Sequence, residues 1–382
     1  MKVSLNLNQK VNNNFQLNNK NFSKILLKND SVCFTGKKED NSSAFEKFIL
    51  TTEGKTYLKQ ARSLSMKSDK ILLKGNSIID NASKIYVEAE VAKYEGSKVL
   101  TQAKELLDSY DFNQVRTVIG KNDSPWLTRK LITTPAGEHV IEEYDAKKNY
   151  TRIVLDSIKT IDVSYYDEKE EKVKTYIFDK KTGNLVKYAV GDEFYGKKFK
   201  ADKLFIFDAS QNLQTYYSNY STNGDDEEKA SEVYEYLSKG SLLEYKTKWD
   251  TIKGEFESSF ESYRFEKDKM VAYVKGLEED ILNGHTSSEI FKFDSKCNII
   301  SYSRGNEINI HGDKRSALKM IFAENDVLKN AYSNYAFFAK GKRSADKMFA
   351  YGENGIRYCL TGFEYDNKTK TRNFEKKITL NR

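Results

Sequence analysis

Proline is almost missing from this chain, and cysteine and histidine are scarce. Its 382 residues include two prolines, three cysteines and three histidines. Cys33, Cys297 and Cys359 are far apart and lack the paired spacing of metal sites or disulfide frameworks. We therefore expect free thiols, no metal site and no cofactor. The scarcity of proline, together with 13% aromatic residues, suits β-strands more than loops.

Motifs for catalysis and nucleotide binding are missing as well. The sequence has no nucleophile elbow, no glycine-rich phosphate loop followed by Lys and Ser or Thr, and no dinucleotide fingerprint. His139, His285 and His311 do not stand at helical ligand spacing, and none pairs in sequence with a cysteine. No catalytic residue is therefore assigned. An enzyme whose site is built from scattered carboxylates stays an alternative.

Long apolar runs are also lacking. No run reaches the roughly 18 apolar residues of a membrane-spanning helix, and residues 1–30 have no apolar stretch like that of a secretory signal. The expected protein is cytoplasmic and has no membrane span.

The net charge of +7 is concentrated near the N-terminus. Residues 1–75 hold fourteen Lys or Arg and six Asp or Glu, so the rest of the chain is nearly neutral. A nucleic-acid partner would have to bind this segment, although a solvated tail is the favoured interpretation. Residues 1–30 contain nine asparagines and few large apolar groups, which predicts a disordered Asn/Lys-rich tail.

Residues 31–112 form a mixed segment with one long predicted helix. Apolar residues from Ile85 to Leu107 recur at steps of three and four, so a helix is expected over about 81–109, with Gly96 as its weak point. Upstream, four apolar residues could share another helix and two could form a short strand: Phe45, Phe48, Ile49 and Leu58, then Ile71 and Leu72. Residues 113–171 are predicted to form irregular β strands.

A repeat of about 29 residues occupies residues 172–382. Seven aromatic residues, here called the anchors, follow one another at steps of 28 or 29 residues: Phe178, Phe207, Tyr236, Phe265, Phe293, Phe322 and Tyr351. Two residues before each anchor stands another large apolar residue, on the same face of a strand. Six residues before most anchors the side chain is small, and Gly or Asn-Gly turn signals precede it. Each repeat is therefore predicted to be one long hairpin.

A column of tyrosines accompanies the anchors. It consists of Tyr188, Tyr216, Tyr245, Tyr273 and Tyr302, each three residues after an apolar residue that follows the first turn. If the column faces solvent, its rings could bind sugars or partner side chains by stacking. The alternative is cross-strand packing that holds neighbouring hairpins together.

The repeat consensus is an apolar residue and an aromatic followed by Asp, a Gly or Asn turn, Leu and Tyr. It resembles the hairpin repeats of the YD-type and MORN-type families over roughly residues 172–381, although the 29-residue period is longer than their units. This resemblance implies a scaffold, shell or interaction surface rather than an enzyme.

The predicted fold class is β-rich α+β. A long antiparallel β-meander of fourteen or more strands should form a curled, twisted sheet, because open sheets rarely exceed about ten strands without curling. The long amphipathic helix should pack on the anchor face and bury it.

The predicted function is a non-enzymatic repeat scaffold or binding protein for a protein or surface-glycan partner. Its working surface should be the face away from the helix, because only side chains not committed to neighbouring hairpins can recognise a ligand. The positions next to the anchors on that face vary in character: Ile206, Glu235, Arg264, Lys292 and Ile321. Glu235, Arg264 and Lys292, with the tyrosine column, are the candidate binding residues.

Overall fold

The computed structural model describes residues 42–112, 116–119, 128–195, 198–223 and 226–380. Within these ranges one long helix lies against one antiparallel sheet. The predicted disordered tail and Cys33 lie outside the described residues. Cys297 is exposed and Cys359 is buried, and both are free thiols.

The helix, α1, runs from Ala44 to Asp108 and has 65 residues. Its length is about 97 Å at 1.5 Å per residue, and Ser43 caps its first turn by accepting a hydrogen bond from the amide of Glu46. The helix predicted over 81–109 is therefore the second half of a longer one. The strand predicted at Ile71 and Leu72 is wrong, because both residues lie inside α1 and Ile71 belongs to its buried stripe. In the described ranges no helix is both long and apolar enough to cross a membrane.

The buried stripe of α1 has a small residue at every seventh position. The eight members are Gly54, Ala61, Ser68, Gly75, Ala82, Ala89, Gly96 and Ala103, and all are buried. Larger buried residues such as Leu64, Ile71 and Ile78 stand three residues after a small one. This alternation of three and four residues is the period of a coiled-coil seam, and it keeps one face toward a partner over many turns.

The sheet consists of 22 described strand segments. Strands β1 to β5 are Arg116–Ile119, Thr128–Thr133, His139–Tyr144, Tyr150–Asp156 and Thr160–Tyr166. Strands β6 to β22 are Lys172–Asp179, Leu185–Val190, Glu193–Tyr195, Lys198–Phe207, Leu213–Thr222, Glu227–Tyr236, Leu242–Ile252, Phe256–Glu266, Lys269–Asp280, Gly284–Phe293, Ile299–Ile308, Lys314–Phe322, Leu328–Phe337, Lys342–Gly352, Gly355–Asp366, Thr371–Asn373 and Lys376–Thr379. Single 3-10 turns lie at Ser238–Gly240 and Glu324–Asp326.

The strands form the predicted antiparallel meander. Each pairs with its neighbour in sequence, except that β7 and β8 both pair with β9, and β21 and β22 both pair with β20. Each of these two pairs makes one interrupted row, so the 22 segments form 20 rows. At about 4.8 Å per row the sheet is about 91 Å wide, which matches the length of α1. The sheet is open, because in the described ranges β1 pairs only with β2 and β22 only with β20.

The anchors face α1 and are buried, as predicted. None of the seven is more than 7% exposed. The hydroxyl of Tyr351 donates to the carbonyl oxygen of Gly54 at 3.1 Å, and the hydroxyl of Tyr236 donates to that of Ala82 at 3.0 Å. A Cβ atom at Gly96 would lie 3.4 Å from the ring of Phe178. Gly96 therefore lies in close contact with the sheet. The prediction that Gly96 is the weak point of the helix did not include this packing role.

One heptad of the helix spans one hairpin of the sheet. Gly54 contacts Tyr351, and Ala82, which lies 28 residues further along the helix, contacts Tyr236. Tyr236 is the fourth anchor before Tyr351 in the sequence. Seven helical residues rise about 10.5 Å, and two strand rows span about 9.6 Å. Because the two distances nearly coincide, small helix positions and aromatic anchors meet at successive hairpins.

A left-handed residue in the second strand of each hairpin changes which side chains face α1. These residues have φ between 47° and 62°: Gly191, Asn219, Lys248, Gly276, Gly305, Asn334 and Gly362. The rings of Tyr217 and Tyr220 are 5.1 Å apart, so two residues three positions apart share the face away from α1. Strict alternation would put them on opposite faces.

The residue after each left-handed position is buried, and this explains the small residues found in the repeat. Tyr220 lies opposite Ala201, Trp249 opposite Ala230, and Phe363 opposite Ala345. A small side chain on one strand leaves room for the large ring on the next. The sheet therefore has buried side chains on both faces.

Candidate ligand pocket on the open face

The tyrosine column lies on the helix face rather than toward solvent. Tyr216, Tyr245, Tyr273 and Tyr302 are at most 6% exposed. The ring of Tyr188 packs between those of Tyr176 and Phe205, with centroids 4.9 and 5.4 Å away. These rings are not exposed to solvent, so the condition for stacking on sugars is not met. They pack instead against rings on neighbouring strands.

Hydroxyl groups of the column are occupied as well. Tyr245 donates to Glu232 at 2.6 Å, Tyr273 to Glu261 at 2.9 Å and Tyr302 to Glu289 at 3.1 Å. Burial, with these glutamates as hydrogen-bond acceptors or nearby charges, raises the pKa of all three phenols. The column therefore stays protonated and belongs to the interface between helix and sheet.

Ion pairs between α1 and the sheet repeat with the same heptad spacing. They join Glu53 to Lys347, Lys67 to Glu289, Lys74 to Glu261, Glu88 to Lys203 and Glu95 to Lys174. The helix residues differ by multiples of seven, and the sheet residues stand two positions before the first aromatic or apolar residue of each anchor pair. The face of the sheet that carries the anchors is thus committed to α1.

The face away from α1, here called the open face, has two apolar patches with a polar region between them. One patch surrounds Val233, Tyr217 and Trp249, and the other surrounds Met348 and Leu360. Strands β13 to β17 carry the polar region, since they lie between the two patches in the meander.

Two of the predicted binding residues belong to an ion network on strands β11 to β13, beside this polar region. Glu235 lies 2.9 Å from the ammonium of Lys246, and Arg264 donates to the buried carboxylate of Glu244 at 2.9 Å. Burial alone would raise the pKa of Glu244, but the charges of Lys246 and Arg264 hold it below its usual value. Lys246 also lies 2.6 Å from Glu257. The network thus pairs three carboxylates with two cations.

The third predicted residue, Lys292, lines a pocket that contains no acidic residue. The pocket has a volume of about 300 Å³ and is built from five successive strands, β15 to β19. Its basic residues are Lys292, Lys314, Arg315, Lys319 and Arg343. Its neutral hydrogen-bonding residues include Ser301, Ser303, Asn306 and Ser316.

None of these five cations takes part in an ion pair within the part of the chain that the structure describes. Lys319 is half-buried, with its ammonium 4.1 Å above the centre of the Tyr335 ring. Burial, followed by the charges of Arg343, Lys292 and Lys314, lowers its pKa to about 8. Burial and the charges of Lys314 and Arg264 also lower the pKa of Lys292.

The pocket gathers residues that are distant in sequence. Cross-strand register puts Lys292 opposite Ser301, and Ser303 opposite both Ile290 and Lys319. Sequence analysis found Lys292 but missed the others, because it considered only the positions beside the anchors. A search for basic residues on the open-face side of adjacent strands would have found Lys319.

The described residues give no arrangement typical of a catalytic or metal centre. No group of three or more His, Cys, Asp and Glu side chains in the described ranges could hold a metal ion. His139 stacks on Phe112 with centroids 4.3 Å apart, and burial lowers the pKa of His285. The pocket can therefore bind an anion through charge and hydrogen bonds.

Comparison with known proteins gives little similarity. No protein-family model and no curated protein matches the chain. A porin-like protein from Bacteroides uniformis is 10% identical, with 55% of this chain and 95% of that chain aligned and a TM-score of 0.15. The complex TcdB2-TccC3 without its hypervariable C-terminal region is 7% identical, with 65% and 19% aligned and a TM-score of 0.10. Neither similarity carries a conclusion about the fold or the function of this chain.

Proposed function

We propose that this protein is a non-enzymatic binding protein that holds an acidic partner, a protein or a surface glycan, on its open face. The helix-backed sheet serves as the scaffold. One observation carries the proposal: the open face has a pocket with five basic residues that form no ion pair among the described residues, whereas the other face is covered by α1.

Electrostatics support an acidic partner. Like charges that are close together and partly removed from water raise the free energy of the unliganded protein. A negatively charged group in the pocket removes this repulsion and supplies charge-assisted hydrogen bonds. The same cluster of charge steers acidic molecules toward the open face.

The test uses the full chain and a panel of acidic peptides and acidic glycans, each with a neutral counterpart. The pocket variant is Lys292→Ser with Arg343→Ser. Its control is Lys187→Ser, which removes an exposed lysine from the same face on strand β7, outside the pocket.

Acidic members of the panel should bind the wild type and the control equally, and the pocket variant about a hundredfold more weakly, since it loses two charge-assisted contacts of about 1.5 kcal/mol each. Equilibrium binding at low and high salt is the measurement. Unchanged binding by the pocket variant, or equal binding of the neutral counterparts, would contradict the proposal.

A further inference from the structure

We infer that the pocket binds a compact organic polyanion that carries two separated phosphate-like groups on a hydroxylated, sugar-like skeleton. The inference rests on the proposed function in one respect, that the open face is the binding surface. It goes further by naming the chemical class of the ligand, either free or as the terminal group of a larger partner.

The size of the pocket limits the ligand. About 300 Å³ is the lower end of the range for small-molecule sites. A ligand of this size is a single small unit, and an extended polymer would be held at one unit only.

The charge of the pocket indicates how many anionic groups the ligand carries. Lys292, Lys314, Arg315, Lys319 and Arg343 supply five positive charges that form no ion pair in the described residues. A phosphate monoester carries a charge of about −1.5 to −2 at pH 7. Two such groups therefore offset most of this charge, whereas a single one leaves more than half of it unpaired.

The cations are arranged for two separated groups rather than one. Lys292 lies on β15 and Arg343 on β19, so their backbones are four strand rows apart, about 19 Å. Lys319 on β17 lies between them. An anionic subsite near Lys292 and another near Arg343 would therefore be separate, with Lys319 between them.

Neutral hydrogen-bonding groups lie between the two walls. Ser301 and Ser303 on β16 line this part of the pocket, and the hydroxyl of Ser316 donates to the side-chain oxygen of Asn306 at 2.9 Å. Hydroxyl groups of a sugar-like skeleton can both donate to and accept from such side chains. A purely apolar linker would leave them without partners, which is unfavourable in a partly desolvated site.

The experiment is calorimetric titration of the full chain with four probes. These are fructose 1,6-bisphosphate, pyrophosphate, citrate and fructose. The first has two separated phosphates on a sugar, the second has adjacent phosphates without a skeleton, the third has carboxylates, and the last is neutral. Lys319→Met is the pocket variant, because it keeps side-chain length and removes a half-buried charge that opposes folding. Lys187→Met is the matched control on the same face.

Fructose 1,6-bisphosphate is expected to bind the wild type and Lys187→Met equally, and Lys319→Met about tenfold more weakly. Pyrophosphate and citrate should each bind at least tenfold more weakly than the sugar bisphosphate, and fructose should not bind. Equal binding of the bisphosphate to Lys319→Met and wild type would overturn the site. Equal binding of citrate or pyrophosphate would overturn the ligand class.

The outcomes distinguish this inference from the proposed function. If the acidic peptides or glycans bind through the pocket while the sugar bisphosphate does not, the function stands and the ligand class is wrong. If the bisphosphate binds but the pocket variant leaves every acidic partner unaffected, the pocket is a separate small-molecule site and the proposed function is wrong.

Discussion

At the scale of single residues, the left-handed positions decide which side chains are available on each face. Glycine occupies four of the seven, and asparagine, which tolerates this conformation better than most residues, occupies two. A Cβ atom at Gly305 would lie 3.2 Å from the Cβ of Ala317 on the next strand. Lys248 is the exception, and its ammonium lies 5.0 Å above the centre of the Phe260 ring. Each of these residues is followed by a buried side chain, which is an aromatic ring at Tyr220, Trp249, Tyr335 and Phe363.

Lys319 is the residue whose charge most opposes folding in the pocket. Its pKa falls from 10.5 to about 8 on folding, so the folded state disfavours the charged form. Below pH 8 both folded and unfolded chains carry the proton, and the full penalty is present. Between about pH 8 and 10.5 the folded chain loses the proton first, so stability contributed by this group rises with pH.

Lys319→Met should therefore stabilise the protein at pH 7 by about 1–2 kcal/mol, less than the full pKa shift implies because the side chain is partly solvated. The gap from the wild type should close by about pH 10. Urea unfolding of both proteins across this range measures it. The facing charges of Lys292, Lys314 and Arg343 and the nearby phenols of Tyr332 and Tyr335 are common to both proteins, so the difference isolates Lys319. A gap that does not change with pH would contradict the assignment.

At the scale of the elements, charge fixes the register of α1 on the sheet. Shifting the helix by one heptad in one direction would bring Glu88 opposite Glu232, a repulsive pair, and Lys67 opposite the uncharged Leu318. A shift in the other direction would put Glu53 opposite Leu318 and Asn81 opposite Lys203. Small helix positions and aromatic anchors alone allow such shifts, because they repeat along the whole interface. The ion pairs disfavour such shifts, because each shift loses part of the series, and they therefore favour one register.

Reversing one charge of this series should destabilise the docked helix, and reversing both should restore much of the loss. Lys74→Glu puts two carboxylates together and should cost about 1 kcal/mol, while Lys74→Glu with Glu261→Lys should recover about half of this. The recovery is incomplete because Tyr273 loses its acceptor. The measurement is a double-mutant cycle in urea, repeated at 1 M salt, where the coupling should shrink.

Lys70→Glu is the matched control, because Lys70 is an exposed position of the same helix. Its effect should stay within about 0.5 kcal/mol. A cycle without measurable coupling between Lys74 and Glu261, or an equal effect at Lys70, would show that the ion pairs do not determine the register.

At the scale of the whole molecule, two repeats of different length are matched to each other. Seven residues of α1 cover one hairpin of about 29 residues. Later positions of the helix contact earlier hairpins of the sheet. Each hairpin contacts mainly its two neighbours and one heptad, as in other repeat arrays. The array should therefore tolerate changes in the number of repeats provided that both components change together.

Deleting residues 237–265 together with residues 76–82 should leave a protein that folds cooperatively, because every remaining anchor still meets a small helix position. In the shortened chain Lys74 faces Glu232, which preserves an ion pair. Deleting 237–265 alone puts the helix out of register with all hairpins on one side of the cut. Circular dichroism and urea unfolding should show this variant to be about 1–3 kcal/mol less stable than the matched deletion, because one heptad of α1 loses its hairpin and ion pairs on one side of the cut are lost. Equal stability of the two deletions would refute the matching.

The sequence predicts the hairpins well and the helix only in part. Anchors such as Phe178 and Phe207 could be placed because a strand's two-residue alternation and a fixed period are local signals. In the N-terminal half of α1 the sequence indicated only a possible separate helix between Phe45 and Leu58; Gly54, Ser68 and Gly75 disfavour a continuous isolated helix. Only contact of such residues with the sheet, as between Gly54 and Tyr351, explains why they stand there. Their spacing of seven is nevertheless visible in the sequence.

The sequence by itself determines the meander, the buried anchor face and the approximate period, because each follows from alternation and turn residues within one hairpin. Tertiary structure alone decides which tyrosines are buried, which rings move to the open face at residues such as Asn219, and which cations meet in the pocket. Lys292 and Arg343 are 51 residues apart in sequence and converge because a meander places successive hairpins side by side. Such convergence depends on register and on left-handed residues at defined points, and neither is fixed by the local pattern of apolar and polar residues.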